Sequence, residues 1–152
     1  MTTIRPRRSA LYMPGANARA LEKAKSLPAD ALLLDLEDAV APEKKAEARA
    51  QIKAALESGG YDGREIVIRT NGLGTSFLHD DLVLCTQVKP DAVLLPKVSS
   101  ARDVSDIRVQ MSATHVQAQL WAMIETPTAI LNIREIAAQA ADPNAPLTCF
   151  II

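Results

Sequence analysis

The sequence has 152 residues, the size of one domain, and a compact chain of that length buries roughly 70% of its unfolded surface. Hydrophobic residues make up 48% and charged residues 23%, which excludes a disordered tail, and an aromatic share of 3% means an aliphatic core. Seventeen basic against eighteen acidic residues leave a net charge of -1, which excludes the basic footprint of a nucleic-acid binder.

The chain reads as short apolar runs separated by helix patterns. The first run, Ser9 to Met13, meets Pro14-Gly15 and then a helix from near Asn17 with Arg19 in its first turn. Arg5, Arg7 and Arg8 imitate the start of a signal peptide, but the run behind them is too short and broken to continue one. The second run is Ala31 to Leu36. After it, Pro42 stands at a first helical position, Ala46 to Leu56 carries an apolar stripe, and Gly59-Gly60 stops it. The third run, Glu65 to Arg69, leads to a helix containing His79; the fourth, Asp91 to Leu95, leads to Ser100 as an N-cap for Val104, Ile107 and Met111. The fifth, Leu120 to Ile124, is the longest uninterrupted apolar stretch, far short of the ~20 residues of a membrane helix. Pro127 then starts a helix carrying Ile130, Ile133, Ile136 and Ala137, and Thr148 to Ile152 is the sixth run.

Buried strands alternating with helices mean a parallel α/β sheet of βαβ units, with strands expected near 8–13, 31–36, 65–70, 92–96, 120–125 and 147–152. Two architectures fit: an open doubly wound sheet, or a (β/α)8 barrel represented by its first six units. Strand order separates them. Cys85 and Cys149 have neither metal nor redox spacing and read as small hydrophobes, so a reducing, cytoplasmic setting is expected.

Ligands of α/β folds bind at the carboxyl ends of the strands. At the first, Pro14-Gly15 with Arg19 is either an ordinary βα turn or a cradle for phosphate at a helix N-terminus. At the second, Asp35, Glu37 and Asp38 place three carboxylates in four residues. Such charge needs a cation or hydrogen-bond donors, unless it is only a polar turn with Asp38 capping a helix. At the third, Arg69 shares a face with Val67 and is either a surface residue or a bidentate grip for a carboxylate. Lys97 puts a cation at the rim after strand four. Glu125, on the face of Trp121 and Met123, either complements the dipole of the next helix or binds Mg2+.

In order, Ser9-Ala-Leu-Tyr-Met-Pro-Gly15, Leu34-Asp-Leu-Glu-Asp-Ala39, Ile68-Arg-Thr-Asn71, Leu95-Pro-Lys97 and Ile124-Glu-Thr126 resemble the citrate lyase beta subunit group of the HpcH/HpaI aldolase superfamily, which includes malyl-CoA and citramalyl-CoA lyases. The resemblance implies a TIM barrel of the phosphoenolpyruvate/pyruvate type. It also implies Mg2+-dependent cleavage or formation of a carbon–carbon bond beside a thioester. Arg69 would grip a keto or hydroxy acid, and Glu125 would bind Mg2+ and touch substrate. Asp35, Glu37 and Asp38 would line the same mouth with Lys97, and Pro14, Gly15 and Arg19 would meet the phosphates of a CoA-type thioester.

The family's second Mg2+ ligand, an Asp in a Gly-x-x-Asp-Leu-like turn after strand six, has no counterpart among these residues. Nor do strands seven and eight or a C-terminal helical lid. The expectation is therefore a single domain, 1–152, forming the N-terminal three-quarters of a barrel, with the general acid/base elsewhere. Its open edges lead to self-association, as a homo-oligomer or in a citrate lyase-like complex. Two further readings remain: a non-catalytic truncated remnant or interaction fragment, and an open-sheet protein binding a small acid or nucleotide.

Overall fold

The computed structural model describes residues 5–142 and 147–152. Six parallel strands form one sheet: β1 (Ala10–Pro14), β2 (Ala31–Asp35), β3 (Glu65–Arg69), β4 (Ala92–Leu95), β5 (Gln119–Met123) and β6 (Leu147–Ile151). They are hydrogen-bonded in sequence order, one to six, with no internal reversal. That order meets the barrel expectation and removes the doubly wound sheet, which requires a switch point.

The two faces of the sheet have different partners. Leu32, Leu34, Ile68, Val93, Leu95, Leu120 and Ala122 point outward and join helix residues such as Leu21, Ile52, Leu82, Ile107 and Ile136 in the main core. The other face gathers Ala31, Leu33, Val67, Ala92, Leu94 and Trp121 into a second cluster with no helical member. Helices on one face only, with the other packed on itself, is the barrel arrangement. A long chord confirms the curl. Arg7, three residues before β1, holds Glu65 of β3 through Nε and Nη2 at 2.6 and 2.7 Å, and its Cζ lies 4.8 Å from the Trp121 ring centroid on β5. A flat sheet would separate β1 from β5 by roughly 19 Å at ~4.8 Å per strand.

The helices are α1 (Ala18–Ala24), α2 (Lys45–Glu57), α3 (Leu78–Val88), α4 (Ala101–Ala113), α5 (Pro127–Leu131) and α6 (Ile133–Ala138). Their ends follow local chemistry. Ser100 caps α4 and forms a reciprocal capping box with Asp103. Pro42 opens a short 3-10 turn, Pro42–Lys44, and α2 follows it from Lys45. The helix expected after Pro127 departs from the sequence pattern: it breaks at Asn132, whose side chain donates to the Ser99 carbonyl at 2.9 Å. Ile130 is consequently turned out to solvent, while Ile136 stays buried. None of the helices among the described residues is long and apolar enough to cross a membrane.

Strand register sets the level of the mouth. Pro14 pairs with Asp35, and Asp35 with Arg69, so three successive strands end side by side. Gly15 makes this approach possible. Its N–H donates to the Asp35 carbonyl at 2.8 Å, and a Cβ there would lie 2.7 Å from that oxygen and 2.8 Å from Ile52 Cδ1. Backbone cannot yield as a side-chain tip can, so Gly15→Ala is expected to cost about 1–3 kcal/mol, read as a lower urea midpoint with unchanged slope.

Candidate active site

The centre of the mouth is a buried ion pair. Asp35 and Arg69 are only 1% and 8% exposed, and register places them directly across from each other. Arg69 donates from Nε to Asp35 Oδ1 at 2.7 Å and from Nη2 to Oδ2 at 2.5 Å, a two-pronged clamp on one edge of the guanidinium. Asp35 also accepts the Glu37 and Ala39 backbone N–H groups at 2.7 and 3.2 Å, which folds the loop after β2 around its carboxylate. Burial works against the Arg69 charge, but the Asp35 hydrogen bond and the fields of Asp35 and Glu37 outweigh it and raise its pKa.

The end edge of the guanidinium is not held by Asp35. Nη1 lies 3.2 Å from Glu37 Oε2 and 3.9 Å from the Met123 sulfur, and the Tyr12 ring covers one flat side with its centroid 5.1 Å from Cζ. Glu37 is buried and also ion-pairs with Lys97, which reaches Asp38 at 3.5 Å. Hydrogen bonding to Glu37 raises the Lys97 pKa, against a smaller effect of burial. Lys97 itself sits in the left-handed region at φ 56°, uncommon for a residue with a side chain. In that conformation its N–H donates to Glu125 Oε1 at 2.8 Å while its side chain spans to the β2 loop. Glu125 is exposed, on the loop between β5 and α5, and among the described residues pairs with no cationic side chain. It holds no helix terminus either, since the Thr126 side chain caps α5.

Behind the mouth lies a second layer that sequence reasoning missed. The Lys45 ammonium is buried and donates to the Leu36 and Glu37 carbonyls at 2.7 and 2.6 Å. Desolvation lowers its pKa, with Asp81, Asp35 and Glu37 opposing. Asn71 donates to the Leu36 carbonyl at 3.0 Å and to Asp81 at 2.7 Å, and Arg49 anchors Asp81 at 2.9 Å. Burial raises the Asp81 pKa, and these donors oppose it. A sequence signal existed for Lys45: it stands on the buried stripe of α2 with Ala48 and Ile52.

The structure thus gathers Arg69, Glu125, Lys97, Glu37 and Asp38 at one mouth, and corrects two roles. Asp35 does not line the mouth; both of its oxygens are used in holding Arg69 and the loop. Pro14 and Gly15 do not form a phosphate cradle, because the Gly15 and Asn17 N–H groups donate to Asp35 and Pro14 carbonyls and Asn17 caps Ala20. Arg19 is exposed on α1, a helix too short to supply an anion site of its own. Asp38 caps no helix; it is exposed beside Lys97.

Arg69, Lys97 and backbone donors answer Asp35, Glu37 Oε1 and Asp38, while the buried Glu37 Oε2 lies 3.2 Å from Arg69 Nη1 without a hydrogen bond. Among the described residues no group of three His, Cys, Asp or Glu is arranged to hold one. Glu125 is different. A hard cation such as Mg2+ takes one or two carboxylates, waters and substrate oxygens. Glu125 offers such a carboxylate, with one oxygen fixed by the Lys97 N–H. The donor chemistry there fits Mg2+.

The sequence profile of the HpcH/HpaI aldolase/citrate lyase family matches residues 8–144. The chain belongs to that family. A (3S)-malyl-CoA thioesterase of Cereibacter sphaeroides is 47% identical over 133 residues, covering 88% of this chain and 45% of the relative. The Escherichia coli citrate lyase subunit beta is 38% identical over 140 residues, covering 88% and 46%. The chain therefore spans about half the length of the curated relatives it matches. Among solved structures, a citrate lyase beta subunit from Mycobacterium tuberculosis complexed with oxaloacetate and magnesium superposes with a TM-score of 0.75 at 28% identity, covering 96% of this chain and 58% of that one. The six strands follow the course of its TIM-type barrel.

Removing Asp35 tests the clamp. Asp35→Ala leaves a buried guanidinium without its main partner, which costs about 3–5 kcal/mol. Urea unfolding of the variant should show a loss of that order; a loss typical of a surface substitution would mean that Arg69 does not depend on Asp35.

Proposed function

We propose that this chain supplies the acid-gripping and metal-binding side of a site acting on the CoA ester of a short hydroxy acid, of the malyl or citramalyl kind. The reaction is carbon–carbon cleavage to a keto acid and an acyl-CoA. The observation that carries this reading is the Arg69 end edge, left free by the Asp35 clamp and set in the same mouth as Glu125, which among the described residues meets no cationic side chain. The support from relatives is their names: malyl-CoA thioesterase, citrate lyase subunit beta, and L-malyl-CoA/beta-methylmalyl-CoA lyase. Self-association, or a place in a citrate lyase-type assembly, belongs to the same reading, supported by the Escherichia coli relative's designation as a subunit.

Arg69 binds the carboxylate of the acid through its end edge, its other edge being held by Asp35; Glu37 Oε2, 3.2 Å from Nη1 but not hydrogen-bonded to it, gives way to the ligand. As the carbon–carbon bond breaks, the hydroxyl of the acid loses its proton and becomes the keto oxygen. The electron pair passes to the thioester side, which takes up a proton to give acyl-CoA. Arg69 stabilises the carboxylate throughout and costs no reorganisation, because the clamp is already formed. Glu125 would hold Mg2+, which when bound supplies Lewis-acid polarisation of the substrate oxygens. Lys97 fixes the Glu125 carboxylate through its backbone N–H and neutralises Glu37 through its side chain. His79 and His115 are exposed away from strand ends and take no part.

A second reading is hydrolysis of the thioester, favoured by the 47% identity to a malyl-CoA thioesterase. The products distinguish the two. Malyl-CoA with Mg2+ should yield glyoxylate and acetyl-CoA under the first reading, and malate with free CoA thiol under the second. Under either, Arg69→Lys should lower kcat/KM about 100-fold, because an ammonium cannot reproduce the planar two-edged geometry. Neither product from malyl-CoA or citramalyl-CoA, with Mg2+ present, would overturn the assignment.

A further inference from the structure

Tyr12 stands in the mouth with no role yet assigned to it. It lies on β1 in register with Leu33, whose side chain belongs to the inward cluster, so Tyr12 also faces the barrel interior. Its ring covers the Arg69 guanidinium at 5.1 Å and is 37% exposed. Among the described residues its hydroxyl has no hydrogen-bond partner. The only other tyrosine differs in each respect: Tyr61 is buried on the outer side and donates its O–H to the Leu21 carbonyl at 2.8 Å.

We propose that Tyr12 is a substrate-contacting residue that donates its phenol O–H to an oxygen of the acid held by Arg69. The inference rests on the reading of the mouth as an acid-binding site, and adds a donor to it. A phenol has an apolar ring and a polar tip, and each half has a use here. The ring closes one flat side of Arg69, which restricts the guanidinium to its plane as Asp35 restricts its edge. The tip, without a protein partner among the described residues, is the half left for a ligand on Arg69. Asp35, Glu37 and Glu125 surround the ring with negative charge and Arg69 with positive. Burial raises the phenol pKa, with Arg69 opposing, so the group remains a donor at neutral pH and above. A neutral donor adds a hydrogen bond without repelling the cations of the site. It also discriminates: an acid carrying an oxygen there gains a bond that a methyl in the same place would forfeit.

The test uses oxaloacetate with Mg2+ as the probe, titrated calorimetrically into the wild type, Tyr12→Phe and Arg69→Met. Tyr12→Phe keeps the ring over Arg69 and removes only the hydroxyl, so melting should be unchanged while affinity falls about 10- to 100-fold, the range for a hydrogen bond to a charged group. A second measurement does not depend on that variant's folding. In a Tyr61→Phe protein Tyr12 is the remaining tyrosine, and saturating oxaloacetate should perturb its ultraviolet difference spectrum. Unchanged affinity in Tyr12→Phe, or an unperturbed phenol band in the Tyr61→Phe protein, overturns the proposal. If Arg69→Met abolishes binding in the same series, the acid-binding reading survives without it. No binding by the wild type overturns both.

Discussion

A guanidinium at the end of a buried parallel strand must be neutralised, and here the answer comes from the strand next door. Asp35 and Arg69 are register partners, so the backbone ladder that builds the sheet also brings the two charges into a paired geometry. The pair is worth more as a positioning device than as a source of stability, because desolvating both groups offsets much of their attraction. It fixes one edge of Arg69, leaves the Nη1 end facing Glu37 Oε2 at 3.2 Å, and draws the Glu37 and Ala39 N–H groups around the same carboxylate. The shape of the β2 loop, the exit of Glu37 toward Lys97, and the close pass of Gly15 over the Asp35 carbonyl all follow from that arrangement.

The buried charges of the mouth are therefore paired before any ligand arrives, with Asp38 an additional exposed carboxylate on Lys97. Asp35 and Glu37 are matched by Arg69 and Lys97, and Lys45 secures the loop through carbonyl oxygens rather than through a carboxylate. Glu125 lies outside this pairing, with a single backbone donor on one oxygen. The left-handed backbone of Lys97 connects the paired part to it. Its conformation costs energy, and it aims an N–H at Glu125 while its ammonium crosses to Glu37. Lys89 and His115 share the left-handed backbone, but only at Lys97 does it join two acidic side chains of the mouth.

Most of the fold was legible in the sequence because its inner strands are buried on both faces. Ala31 to Leu34 is apolar without alternation, which a half-exposed strand would not allow, and Gly, Pro or a carboxylate punctuates most of the runs. Arg69 and Glu125 were legible for the same reason: a charge ending an apolar strand stands out. The roles of Asp35 and Glu37 were not, because two carboxylates two residues apart look alike until register shows which one faces the arginine. Gly15 suggested a phosphate turn, whereas its actual reason is steric, an oxygen 2.7 Å from where a Cβ would be. Lys45 was hidden by its type, since a helical lysine ordinarily reads as solvated. Ile130 was misplaced because a 3.6-residue stripe assumes an unbroken helix, and the side chain of Asn132 is tied to Ser99 instead.

The central claim is geometric: Arg69 receives the ligand on the edge that Asp35 leaves open. A crystal structure of the protein soaked with oxaloacetate and Mg2+ tests it most directly. The account predicts a ligand carboxylate across Nη1 and Nη2 of Arg69, the Asp35 clamp intact beneath it, and the metal on Glu125. A ligand seated on the Nε edge with Asp35 displaced, or a metal held by Asp35 and Glu37, would contradict it.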